Sequence, residues 1–124
     1  MAGGYVGWAL HEQDREALLE AFPPAYPKVV ADHVTLSLTS LMKGGLPTAR
    51  SGEVVGITDD GAGVQALVVR IEGTTDRPDG STYHLTWSLG AGRKAVESND
   101  VLRERGWTPI DPPWPIRLEP RRWP

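Results

Sequence analysis

The chain has 124 residues and a net charge of −3, with 40% hydrophobic and 23% charged residues, the composition of one ordinary globular domain. It contains no cysteine, which excludes a disulfide scaffold, a thiolate zinc site and a cysteine nucleophile. The mildly acidic balance argues against salt-sensitive binding of nucleic acid over the whole surface, so duplex DNA is not an expected partner.

Glycine (14) and proline (11) together make about a fifth of the chain, which predicts many turns and few long helices. No run approaches the roughly 20 apolar residues of a membrane span, and the opening MAGGYVGWALHEQ lacks the basic start of a secretory signal. The expectation is a soluble, cytoplasmic protein forming one domain over residues 1–124.

Tyr5 to Leu10 alternates aromatic or apolar residues with small ones and is too short for a helical repeat, which predicts a strand. A helix is expected in REALLEAF, where Ala17, Leu18, Ala21 and Phe22 share one face, Asp14 is placed to cap the start and Pro23-Pro24 stops the end. Val29 to Leu38 carries β-branched residues in alternation and reads as the next strand, followed by a loop over Met42 to Gly52. Glu53 to Thr58 and Val64 to Glu72 form a predicted hairpin around the Asp60-Gly61 step.

A polar loop from Gly73 to Gly80 leads into a strand at Thr82 to Leu89. Ser98 is placed to cap a short helix, Asn99 to Arg105, that Gly106 closes. Trp107 to Pro124 holds six prolines and three tryptophans and is expected to wrap the domain as extended chain, with an edge strand near Pro115 to Leu118. Five or six mainly antiparallel strands and two short helices define an α+β class.

Compared with itself, the chain repeats one short motif: His33-Val34-Thr35-Leu36-Ser37-Leu38 and His84-Leu85-Thr86-Trp87-Ser88-Leu89 are identical at four of six positions, in a chain with only 3 histidines. Side chains alternate along a strand, so each copy turns an imidazole and hydroxyls to one face and wholly apolar residues to the other. The apolar face packs and fixes the polar one. Two such strands, side by side or across a cleft, make a matched site.

Phosphodiester cleavage is chemistry that needs this set. Opening a cyclic phosphate requires one group to take a proton from water and another to give a proton to the departing ribose oxygen, and imidazoles suit both tasks near neutral pH. Threonine hydroxyls donate to the non-bridging phosphate oxygens. The scheme demands no metal and no cofactor. A zinc site would need His11 to join His33 and His84, or a carboxylate such as Asp32, and on a regular strand Asp32 faces away from His33.

Two H-x-T motifs, each followed by an apolar residue and about fifty residues apart, resemble those of the 2H phosphoesterase superfamily. More narrowly, Phe22 to Leu36 and the stretch from Tyr83-His-Leu-Thr-Trp87 through Lys94 to Leu102, together over a quarter of the chain, are similar to the cyclic phosphodiesterase domain of fungal-type tRNA ligases. The resemblance implies a bilobed sheet with the motifs facing across a cleft, and hydrolysis of 2′,3′-cyclic phosphates at an RNA end or on a nucleotide. It carries over His33, Thr35, His84 and Thr86 as catalytic residues, with His84 activating water, His33 protonating the leaving oxygen and the threonines holding phosphate; the reversed acid and base assignment stays open. With no kinase or ligase domain attached, a standalone enzyme is implied.

Further substrate contacts are expected from Arg93 and Lys94, in the loop after the second motif, and from Tyr5 and Tyr83, whose rings can stack on a base. Core packing is the expectation for Trp8 and Trp87, helix capping for Ser98, a surface or capping place for His11, and Lys43 and Arg50 are candidates for a lid. Two other readings are a non-catalytic module that senses RNA ends or cyclic nucleotides, and a phosphodiesterase acting on cyclic oligonucleotides or 2′,5′ linkages.

Overall fold

The computed structural model describes residues 4–38 and 45–124. In chain order the elements are β1 (Tyr5–Leu10), α1 (Glu12–Ala21), β2 (Lys28–Val29), β3 (His33–Leu38), β4 (Ser51–Asp59), β5 (Val64–Arg70), β6 (His84–Leu89), α2 (Glu97–Arg105) and β7 (Thr108–Trp123). The sheet runs β2-β6-β3-β1-β7-β4-β5 with all pairs antiparallel, and a further β6–β5 pairing closes six of the strands into a barrel. The architecture is α+β and mainly antiparallel. No helix among the described residues is long and apolar enough to cross a membrane.

Alternation explains the barrel interior. Trp8 and Leu10 of β1, Val34 of β3, Val54 of β4, Leu67 and Val69 of β5, Leu85 and Trp87 of β6, and Ile116 and Leu118 of β7 meet in one buried cluster, joined by Leu18 of α1. Truncating either tryptophan to alanine removes a large fully packed ring, a loss of about 3–5 kcal/mol. Outside the barrel, Leu102 of α2 packs on Val55 and Val68, so α2 lies against β4 and β5 and approaches the β6 face from that side.

Several boundaries differ from the sequence expectation, each for a local reason. α1 starts two residues before Asp14: His11 caps it, its Nδ1 accepting from the Gln13 amide at 3.3 Å, while Asp14 binds the backbone and guanidinium of Arg117. The predicted strand Val29 to Leu38 breaks into β2 and β3 because Ala31 takes φ +49°, leaving Asp32 outside both. Arg15 closes over that break by donating to the Ala31 carbonyl at 2.9 Å.

The largest correction concerns the C-terminus. β7 is a 16-residue strand between β1 and β4, not a wrap with an edge strand. Its register against β4 jumps from Gly56↔Pro109 to Val54↔Trp114, so Pro112 and Pro113 sit in the excursion, where a residue without an N–H breaks no ladder bond.

Candidate active site

β3 and β6 meet at the antiparallel pair Val34↔Leu85. That register sets His33 opposite Thr86 and Thr35 opposite His84, so the two motifs are related by an approximate twofold turn and all four polar side chains leave the barrel on the same outer face. The imidazoles occupy a diagonal, for which Cβ separations of about 7 Å are usual, room for a phosphate between the rings. β1 flanks them, with Gly7 against Thr35; a Cβ on Gly7 would lie 2.0 Å from the Val34 carbonyl, so only glycine allows this approach.

A cavity of about 360 Å³ is lined by all four motif residues. This is the small end of the range for small-molecule sites. Tyr5 and Leu38 form one wall, Ala95, Val96 and Asn99 of the α2 approach another, and Arg77 reaches in from the turn before β6. Leu38 was expected on the core face; a register shift at Val6/Gly7 turns the end of β3, and Leu38 is exposed at the pocket rim. Ser88, the last polar residue of the second motif, is fully buried away from the pocket and donates to Gln65 at 2.5 Å.

The two histidines sit in unlike environments. His84 is only 9% exposed, and its Nδ1–H donates to the Thr82 carbonyl at 2.8 Å, which fixes the tautomer and leaves Nε2 with its lone pair. Burial pushes its pKa below the ordinary value, and the charges of Arg77 and His33 push the same way against a partial offset from the Thr82 carbonyl. His33 is half-buried and its Nδ1 contacts Asp32 Oδ1. The expectation that Asp32 faces away is thus corrected: Asp32 precedes the strand, so strand alternation does not govern it.

Tyr5, Trp123 and His33 form an aromatic shelf at the rim. Tyr5 stacks on Trp123 with centroids 4.9 Å apart, and the His33 ring lies 5.3 Å from Tyr5 and 5.2 Å from Trp123. Burial, with the nearby Asp32 charge, raises the Tyr5 pKa, so its hydroxyl keeps its proton. Thr86 faces the junction with α2: its hydroxyl lies 2.9 Å from Ser98 Oγ and donates to the Ala95 carbonyl at 3.3 Å. Ser98 therefore does not cap α2, which starts at Glu97 with no side-chain cap; it is fully buried in the first turn and braces Thr86.

Three expected substrate contacts lie elsewhere. Arg93 bridges the β4–β5 turn and α2, pairing with Asp60 and Glu97 at 3.0 Å each and contacting the Ala62 carbonyl, so its charge is satisfied in another hollow. Lys94 is exposed and outside the pocket lining; its backbone amide donates to Glu97 at 2.6 Å. Tyr83 points inward, one residue out of phase with His84, and packs edge-on against Trp8 at 5.7 Å. Lys43 lies outside the described residues, and Arg50 does not line the pocket.

Arg77 and Trp123 are pocket neighbours that sequence reading passed over, and Asn99, expected only at the helix start, lines the pocket as well. The turn Arg77-Pro78-Asp79-Gly80 just ahead of the second motif was the available signal for Arg77. Arg77 Nη1 donates to Asn99 Oδ1 at 3.3 Å, Nη2 lies 3.5 Å from Asp79, and Nε is buried without a partner, an omission that costs about 1–3 kcal/mol.

A larger hollow of about 490 Å³ shares no residue with this pocket; Asp14 pairs there with Arg117 and Glu53 with Arg70, leaving Glu72 as its other charged residue. Among the described residues, no three histidine, cysteine, aspartate or glutamate side chains are gathered as a metal set. In comparisons with protein-family models, curated proteins and solved structures, the chain matches none of them.

Proposed function

We propose that the chain is a 2H-type phosphoesterase that hydrolyses a 2′,3′-cyclic phosphate, on a nucleotide or at an RNA end, without requiring a metal. The observation that carries this reading is the register of β3 and β6, which gathers both histidine–threonine pairs around one small pocket while giving the two imidazoles different surroundings. The superfamily's division into two lobes belongs to the proposal in reduced form, each lobe represented by one motif strand and its flanking wall.

His84, held neutral by burial with Nε2 free, takes a proton from water as the water oxygen bonds to phosphorus. The bond from phosphorus to one ribose oxygen breaks, and His33, oriented through Nδ1 by Asp32, delivers a proton from Nε2 to that oxygen. One proton enters at His84 and one leaves at His33, and exchange with solvent resets the pair. Thr35 donates to a non-bridging oxygen. Thr86 does the same on turning its proton from the Ala95 carbonyl to the phosphate, while Ser98 donates to the Thr86 oxygen and keeps it in place.

The test is hydrolysis of 2′,3′-cyclic nucleotides and of a short RNA ending in a cyclic phosphate, with chelator present. His33→Ala and His84→Ala should each reduce turnover by about 10²–10⁴-fold while the melting transition persists. Full activity in either variant rejects the scheme. Tight binding by the wild type with no product would instead favour a sensing module, a reading to which the resting commitment of the Thr86 hydroxyl lends some support.

A further inference from the structure

Among the described residues, Arg77 is the only arginine or lysine lining the histidine pocket. Its backbone is fixed by a tight turn: Gly80 N donates to the Arg77 carbonyl at 2.9 Å, Arg77 N donates to Ser81 at 2.7 Å, and the Asp76–Thr82 bridge clasps the ends. Thr82 also accepts the Nδ1–H of His84, so a single short ribbon sets both the guanidinium and the imidazole. The guanidinium itself is engaged only at its far end, by the long contacts to Asn99 and Asp79, and its buried Nε has no protein acceptor.

Buried donors without partners are rare in folded proteins, and a guanidinium edge offers parallel N–H groups spaced to meet two oxygens of a phosphate. Resting on the phosphodiesterase reading, we propose that Arg77 is the residue that anchors and selects the substrate's phosphate, donating from Nε and Nη to its non-bridging oxygens while the two imidazoles flank the phosphorus. Asn99 and Asp79 hold the plane of the guanidinium. Arg77 also acts on the base: its charge favours neutral His84 in the empty pocket, and an arriving anion offsets that charge. The ligand class is a phosphate monoester or diester anion. An uncharged ester of the same shape is refused.

The experiment titrates inorganic phosphate into the wild type, Arg77→Gln and Arg77→Lys, following the imidazole NMR signals of His84, with thermal melting as a check on folding. The wild type should show saturable shifts at His84. Arg77→Gln should bind phosphate about tenfold or more weakly, Arg77→Lys should keep part of the affinity, and the pKa of His84 should rise in the glutamine variant. With a 2′,3′-cyclic nucleotide, KM should rise more than kcat falls. A merely structural arginine would lower the melting temperature and leave phosphate affinity unchanged. Equal affinity in the wild type and a folded Arg77 variant, or no phosphate-dependent shift at His84 in the wild type, overturns the proposal. Failure of the phosphodiesterase reading is separate, because it is decided by turnover in the histidine variants.

Discussion

The hydroxyl oxygens of Thr86 and Ser98 lie 2.9 Å apart in a buried contact that joins the second motif to the first turn of α2. Ser98→Ala removes the hydroxyl that holds the Thr86 oxygen in place and leaves buried polar surface underpaired. The variant should lose about 1–3 kcal/mol of stability. Its kcat/KM should fall by up to about 10²-fold, the size of losing one donor to a developing oxyanion. Denaturant titration and steady-state kinetics read the two effects; unchanged kinetics would remove Thr86 from the phosphate-holding set.

Asp32 acts through His33. Because Asp32 is 61% exposed, Asp32→Asn should leave the melting temperature nearly unchanged. It should lower kcat by about tenfold or more, since the imidazole loses the acceptor-only carboxylate that fixes its tautomer and supports its positive charge. A kcat equal to the wild type would show that the aromatic shelf alone orients the ring.

The buried His84 ties stability to pH. Its native pKa lies below the ordinary value of 6.5, so under acid the unfolded chain binds a proton that the native ring refuses. Stability therefore falls as pH drops below about 6.5, by at most about 1.4 kcal/mol per pH unit for this group, and levels off once the native ring titrates. Asp14, Asp60 and Asp79, whose pKa values are lowered, add their own losses only near and below about pH 4. Melting curves between about pH 7 and about pH 5 should be flatter for His84→Gln than for the wild type. Equal slopes would mean that His84 titrates as a solvated residue.

Arg93 offers the converse case. Arg93→Ala should lower the melting temperature, because it clasps the β4–β5 turn to α2, and should leave kcat/KM within about twofold of the wild type. A large loss of activity at unchanged stability would restore the role in substrate binding expected from its sequence position.

The parts of the site legible in the sequence are those governed by period-two alternation. His33, Thr35, His84 and Thr86 could be placed on one face of two strands because each apolar neighbour, Val34 and Leu85 above all, must enter the core. Tyr83 was misplaced where the same rule, carried one residue back from His84, turns it inward. Asp32 and Arg77 were hidden because strand breaks and turns bring them in: the left-handed Ala31 in one case, the Pro78-Asp79-Gly80 turn in the other. β7 was obscured by its prolines: Pro112 and Pro113 sit at a register jump that no local pattern reveals, and Pro109, Pro115 and Pro120 lie within paired stretches.

The pairing of Tyr5 with Trp123 joins the first strand to the last. Ring closure therefore waits until β7 has been synthesised, and it unites two strands far apart in sequence. On the ribosome, β1 must remain without its β7 partner while the rest of the chain emerges, and the aromatic shelf beside His33 is completed last. The pocket wall beside His33 is thus complete only when both edges of the ring have met.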